Sequence, residues 1–236
     1  MTPRNPIFVA LDLPSADEAR KLVRTLAPVV GGFKVGSELF TIAGPDIVRE
    51  IRATGASVFL DLKFHDIPNT VAKAVAAAVR LDVQMLTVHA GGGKAMLEAA
   101  EKSAQTAAKT LGQTAPLVLA VTVLTSLDSN ELSEVGLPAN VGRQVERLAG
   151  LAVAAGVRGL VCSPLEIADL RQIIPRDMAL VTPGIRAAGD KANDQKRTLT
   201  AAEAMAAGAT WLVIGRPICA APDPAAAARA ISETLR

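Results

Sequence analysis

The sequence predicts one α/β domain, a single (β/α)8 TIM barrel spanning residues 1–236. Three observations carry this reading. Eight short apolar runs alternate with Ala-rich amphipathic stretches along the whole length. The runs are continuously apolar rather than alternating, as parallel strands covered on both faces require. No G-x-G-x-x-G follows the first run, which counts against the rival fold, a doubly wound open sheet. No linker, charge block or shift of composition marks a second domain.

The first strand is read over Ile7–Asp12 and leads to a helix over Ala16–Leu26, where Ser15 and Glu18 have capping-box spacing. Strand Gly32–Val35 precedes helix Pro45–Ala53, and strand Val58–Lys63 precedes helix Val71–Leu81. Strand Met85–His89 leads through Gly91-Gly92-Gly93, read as a tight turn, into helix Gly93–Leu111. In the second half, strand Leu117–Val123 precedes helix Val141–Ala155, and strand Gly159–Cys162 precedes helix Leu165–Ile174. Strand Ala179–Thr182 precedes helix Ala201–Ala207, and strand Trp211–Gly215 precedes a closing helix over Pro224–Leu235. Gly31, Gly55, Gly156 and Gly208 stand where helices should stop.

Composition narrows the function. Half of the residues are apolar, so a sizeable core can be buried. Lys and Arg total 25 against 23 acidic residues, and a net charge of +2 gives no reason to expect nucleic acid or an anionic membrane. Aromatics make up only 3% with no Tyr, too few for stacking platforms on single strands. Cys162 and Cys219 lie far apart in apolar surroundings and read as reduced thiols of a cytoplasmic protein. No Cys/His pair has zinc-ligand spacing. The first residues are polar, unlike a signal peptide, and no apolar run reaches membrane-spanning length.

In barrels of this type the C-terminal strand tips carry the chemistry. Those tips and the loops after them hold Asp12, Lys34, Asp61 with Lys63, His89, Thr125, Arg186 and Arg216. The densest segment is D-L-K-F-H-D-I-P-N-T, Asp61 to Thr70. Asp61 and Lys63 are two apart on a strand and share a face. Lys34, Asp61, Lys63 and Asp66 together suit stabilisation of a carbanion: a lysine supplies a proton and positive potential, and carboxylates keep it charged and oriented. A carboxylate beside a substrate carboxylate also repels it.

A second constellation is Thr182-Pro183-Gly184-Ile185-Arg186 with Gly215-Arg216-Pro217-Ile218. The loops after the seventh and eighth strands are the usual phosphate-binding place in such barrels. Gly215 lets the backbone approach an anion, and arginines offer forked donors. The polar stretch from Ala187 to Arg197 reads equally as a surface loop or as a lid. His65 and His89 read as hydrogen-bonded structural residues rather than bases.

These residues resemble the orotidine 5′-monophosphate decarboxylase family. The segment Asp61 to Thr70 carries the resemblance, with Ala10-Leu11-Asp12, Phe33-Lys34-Val35-Gly36, Thr87-Val88-His89-Ala90, Leu124-Thr125-Ser126 and the two phosphate-side segments in matching order. The resemblance implies decarboxylation of orotidine monophosphate to uridine monophosphate in pyrimidine synthesis, with no metal and no cofactor. It implies that Lys63 protonates the C6 carbanion, that Asp61 lies beside the departing carboxylate, and that Lys34 and Asp12 meet the ribose. Thr125 would contact the pyrimidine or carboxylate region, with Pro183 also at the substrate. Arg186, Gln195, Gly215 and Arg216 would serve the phosphate, making residues 187–198 a lid. Asp66, Ile67 and Thr70 would reach the site of a neighbouring subunit, which implies a homodimer.

Two rivals remain at this point. The magnesium-dependent sugar-phosphate branch, hexulose-phosphate synthase and keto-gulonate-phosphate decarboxylase, is similar around Asp61 to Asp66. It places a Glu-containing segment where this chain has Lys34, and a lysine opposes a divalent cation. A non-catalytic phosphate-binding barrel would keep Arg186 and Arg216 but would not need the Asp/Lys array.

Overall fold

In a computed structural model of the chain, residues 5–186 and 198–235 are described. Eight parallel strands close into a barrel in sequence order: β1 (Ile7–Ala10), β2 (Gly32–Gly36), β3 (Ser57–Phe64), β4 (Met85–His89), β5 (Leu117–Val121), β6 (Gly159–Val161), β7 (Ala179–Thr182) and β8 (Trp211–Ile214). The first strand pairs with both β2 and β8, so the sheet has no edge. The helices are α1 (Ala16–Leu26), α2 (Ser37–Ala43), α3 (Asp46–Ala53), α4 (Pro68–Val79), α5 (Lys94–Leu111), α6 (Ser129–Glu134), α7 (Val141–Ala154), α8 (Ile167–Ile173), α9 (Ala201–Ala207), α10 (Arg216–Cys219) and α11 (Pro224–Glu233). The predicted fold class is thus the observed one.

The strands are apolar on both faces because each face meets a different core. One set of side chains, including Ile7, Val9, Phe33, Val58 and Leu60, packs outward under the helices. The alternate set, Phe8, Ala10, Phe59, Met85, Leu119, Val181 and Val213, fills the barrel interior. Phe8 and Phe59 meet edge to face there, with centroids 6.5 Å apart. Each such ring, fully buried, contributes about 1.5–3 kcal/mol.

Several boundaries differ from expectation. The helices α2 and α6 are additional. Seven-residue α2 follows β2 directly with no side-chain cap, and so offers no start signal. Six-residue α6 does carry a reciprocal capping box between Asp128 and Glu131. At α1 only half the expected box forms, with Ser15 accepting from the Glu18 N–H. Helix α4 starts three residues earlier than read, at Pro68, where proline's missing N–H costs nothing. β1 ends at Ala10, so Asp12 lies on the loop beyond it. Gly55, Gly156 and Gly208 have positive φ, as expected of helix stops. Gly31 does not; a Cβ there would collide with the Asn5 carbonyl oxygen, so crowding is its reason.

At the end of the barrel where the strands begin, polar side chains serve the main chain. Arg171 of α8 donates to the Gly208 and Met178 carbonyls and to Thr210 Oγ1. Gln84 donates to the Asp82 carbonyl and accepts from the Val58 N–H. At the opposite end β3 runs on to Phe64, past an irregularity. Leu60 pairs with Leu86 and Phe64 with Val88, so Asp61, Leu62 and Lys63 together face Thr87 alone. Lys63 sits in this bulge with φ 49°. Among the described residues no helix is long and apolar enough to cross a membrane.

Candidate active site

The C-terminal mouth holds a cavity of about 330 Å³. Asp12, Lys34, Asp61, Lys63, Thr125, Pro183, Arg186, Gly215 and Arg216 all line it. Residues from six strands, or from the loops after them, thus meet at one place.

Asp12, Lys34, Asp61 and Lys63 form an alternating chain of charge. Lys34 Nζ lies 2.8 Å from Asp12 Oδ1 and 3.8 Å from Asp61 Oδ2. Lys63 Nζ donates to both Asp61 oxygens, at 2.9 and 2.8 Å. Lys34 is only 8% exposed. A buried ammonium is costly unless paired, and here two carboxylates flank it. Gly36 leaves room for this arrangement, since a Cβ there would stand 2.9 Å from Lys34 Nζ. Lys63 is the more open of the two lysines, with 36% of its side chain exposed.

The other side of the mouth is built differently. Arg186 follows β7, and its Nη1 donates to the Ile185 carbonyl at 2.8 Å. Its own N–H donates to Leu199, beside a parallel bridge between Ile185 and Leu199. Gly215 caps α10, whose first residue is Arg216. A Cβ at Gly215 would meet only Ala10, at 3.6 Å, so packing alone does not demand a glycine there. Cys219, at the end of α10, donates to the Ala10 carbonyl. Burial, and then Asp12, push its thiol up to about 11, so it is no nucleophile at neutral pH.

Asp66, Ile67 and Thr70 do not line the cavity of their own chain. They sit exposed at the turn into α4, with Ile67 66% exposed. Asp66 accepts a hydrogen bond from the Ile67 N–H. Gln195, and with it nearly all of the expected 187–198 lid, lies outside the described residues.

His65 and His89 were expected to be hydrogen-bonded. Among the described residues neither imidazole has such a bond. The rings instead pack together, with centroids 5.3 Å apart and a 40° tilt. Burial, followed by the neighbouring His65 and Lys63, holds His89 below its ordinary value. It therefore stays neutral near pH 7. The resemblance includes Thr87 within the segment Thr87-Val88-His89-Ala90 but gives it no role; its hydroxyl bonds both Asp61 and the Lys63 backbone. A threonine inside the apolar run Met85–His89 gives no signal beyond β-branched packing.

A paired lysine open to a cavity, with a carboxylate at its base, can deliver a proton to a nascent carbanion and repel a bound anion. Residues 5–231 match the model of the orotidine 5′-phosphate decarboxylase / HUMPS family. The chain belongs to that family. Its resemblance at Asp61 to Thr70 therefore reflects membership along nearly the whole length. The chain is 54% identical to an orotidine 5′-phosphate decarboxylase from Moorella thermoacetica, an alignment that covers all of this chain and 94% of that protein. It is 52% identical to one from Opitutus terrae, over 98% of each. Among solved structures, orotidine 5′-phosphate decarboxylase from Lactobacillus acidophilus superposes with a TM-score of 0.87. That likeness covers 98% of this chain and 99% of the other at 38% identity.

Proposed function

We propose that the chain decarboxylates orotidine 5′-monophosphate to uridine 5′-monophosphate in pyrimidine synthesis, without metal or cofactor. The alternating Asp12–Lys34–Asp61–Lys63 array facing one cavity carries this reading. The relatives named for that reaction support it.

In this reading the 5′-phosphate lies at Arg186, Gly215 and Arg216, with Gln195 joining them, and the ribose meets Lys34 and Asp12. The pyrimidine lies by Thr125 and Pro183, which turns its C6 carboxylate toward Asp61. The C6–carboxylate bond breaks, carbon dioxide leaves and the electron pair stays on C6. The Lys63 ammonium then gives its proton to C6, and solvent reprotonates the amine. The ammonium's charge stabilises the developing anion before the proton moves. Asp61 grips and aims the Lys63 ammonium, and opposes the substrate carboxylate until it departs. Asp66, Ile67 and Thr70 complete the site of a second copy; their exposure and absence from their own cavity motivate this part.

The test is turnover of orotidine monophosphate by the purified chain, followed by loss of its ultraviolet absorbance, with and without chelator. Equal turnover in both is expected. No turnover would overturn the reading, and activity lost to chelator and restored by magnesium would move the chain to the sugar-phosphate branch of its family.

A further inference from the structure

Backbone geometry at the proton donor poses a problem. Among the described residues only Lys63 and Asp82 have positive φ without being glycine. Asp tolerates that region through its short polar side chain; lysine has no such help. Something must hold Lys63 there. It sits where three residues of β3 face one residue of β4, so its N–H has lost the regular ladder partner.

The residue opposite is Thr87, which is fully buried. Its hydroxyl accepts from the Lys63 N–H at 2.9 Å and donates to Asp61 Oδ1 at 3.0 Å. Both directions are fixed, because an N–H can only donate and a carboxylate can only accept. One oxygen therefore stands in for the missing strand partner of Lys63 and also orients the carboxylate that Lys63 Nζ grips. Threonine's branched Cβ limits χ1, so the hydroxyl is held in place before substrate arrives.

We infer that Thr87 is a positioning residue of the decarboxylation: its hydroxyl locks the left-handed bulge and sets the Asp61–Lys63 pair at the distance the proton transfer needs. This rests on the proposed activity. Thr87 is buried and absent from the cavity lining, so it acts only through Asp61 and Lys63. A valine of the same shape would leave the Lys63 N–H without an acceptor and Asp61 without a donor.

The experiment compares Thr87→Val, Thr87→Ala and Thr87→Ser with the unaltered chain, measuring kcat and KM for orotidine monophosphate and the affinity for uridine monophosphate. Displacement of a reacting group by about 1 Å can cost roughly 100-fold, so Thr87→Val should lose about that factor in kcat with KM and product affinity changed only a few fold. Thr87→Ser keeps the hydroxyl and should recover most of the rate. Equal kcat for Val and Ser, a loss falling on KM and product affinity instead, or failure of both apolar variants to fold while Ser folds would each overturn the inference. The last outcome would make the hydroxyl a foundation of the barrel. If the unaltered chain itself gave no turnover, the proposed activity would fall, which is a separate result.

Discussion

The two ends of this barrel use polar side chains in opposite ways. Where the strands begin, Arg171, Gln84 and Asn5 hydrogen-bond main-chain groups of loops and strand starts. Where the strands end, Asp12, Lys34, Asp61 and Lys63 bond one another around a cavity. The first arrangement removes unsatisfied backbone groups and so adds to stability. The second concentrates charge in a confined space and holds a lysine in a strained conformation. That is poor economy for folding and suits chemistry. One closed sheet thus separates the two tasks by end.

Five substitutions test that separation, beginning with the largest effect. Lys63→Ala should lower turnover about 10⁴-fold, ~5 kcal/mol of barrier, while leaving the fold intact. A loss within about tenfold would refute its role as proton donor. Mixing it with inactive Asp66→Ala should restore part of the activity through one intact shared site per mixed dimer. No recovery under proven subunit exchange would refute the shared site alone. Next, Arg216→Ala should reduce kcat/KM for the nucleotide by about 100-fold or more, ~3 kcal/mol, yet barely affect the phosphate-free nucleoside. Equal losses on both would remove Arg216 from the phosphate.

At the other end, Arg171→Ala should do the reverse. It strips partners from the Gly208 and Met178 carbonyls and should cost about 2–4 kcal/mol of stability with kcat unchanged. A matching fall in kcat at a temperature where the variant is folded would blur the division of labour. The smallest effect concerns His89. Its folded pKa lies below the ordinary value, chiefly through burial, so the unfolded chain binds this proton more readily. Its contribution to stability is full above about pH 6.5 and is lost as pH falls from there toward the folded value. His89→Asn should flatten that acid slope, read from urea unfolding between about pH 7 and 5. Unchanged slopes would show that the charged mouth carries no such cost at His89.

The barrel and most of the cavity's polar lining were legible in the sequence. Continuous apolar runs report strands covered on both faces, and charges at the tips of such runs stand out because packing does not want them there. Helix α2 was not legible, since its seven residues begin without a side-chain cap. The bulge at Lys63 was hidden for a different reason. Lysine is no signal for positive φ, and simple alternation already placed Asp61 and Lys63 on one face. They do meet, but across a three-against-one irregularity in which the Lys63 N–H bonds a threonine hydroxyl of the next strand. Thr87 was legible only as part of a matching segment, with no role of its own, because a buried threonine on a strand usually means only a β-branched filler.

The pairing of β1 with β8 bears on the order in which the protein becomes competent. Ile7 and Leu212 are partners with almost the whole chain between them. Such a contact is expected to form late, because the entropy of closing so long a loop must be met before the pairing rewards it. Asp12, Lys34, Asp61 and Lys63 emerge early from the ribosome, and Arg186, Gly215 and Arg216 emerge near its end. On the proposed reading, a truncated or stalled chain holds these Asp and Lys residues but lacks the groups that would anchor a nucleotide, so ligand affinity should appear only once the ring is sealed. On that reading, substrate should bind the completed barrel in preference to any unfinished one, and so favour completion by mass action.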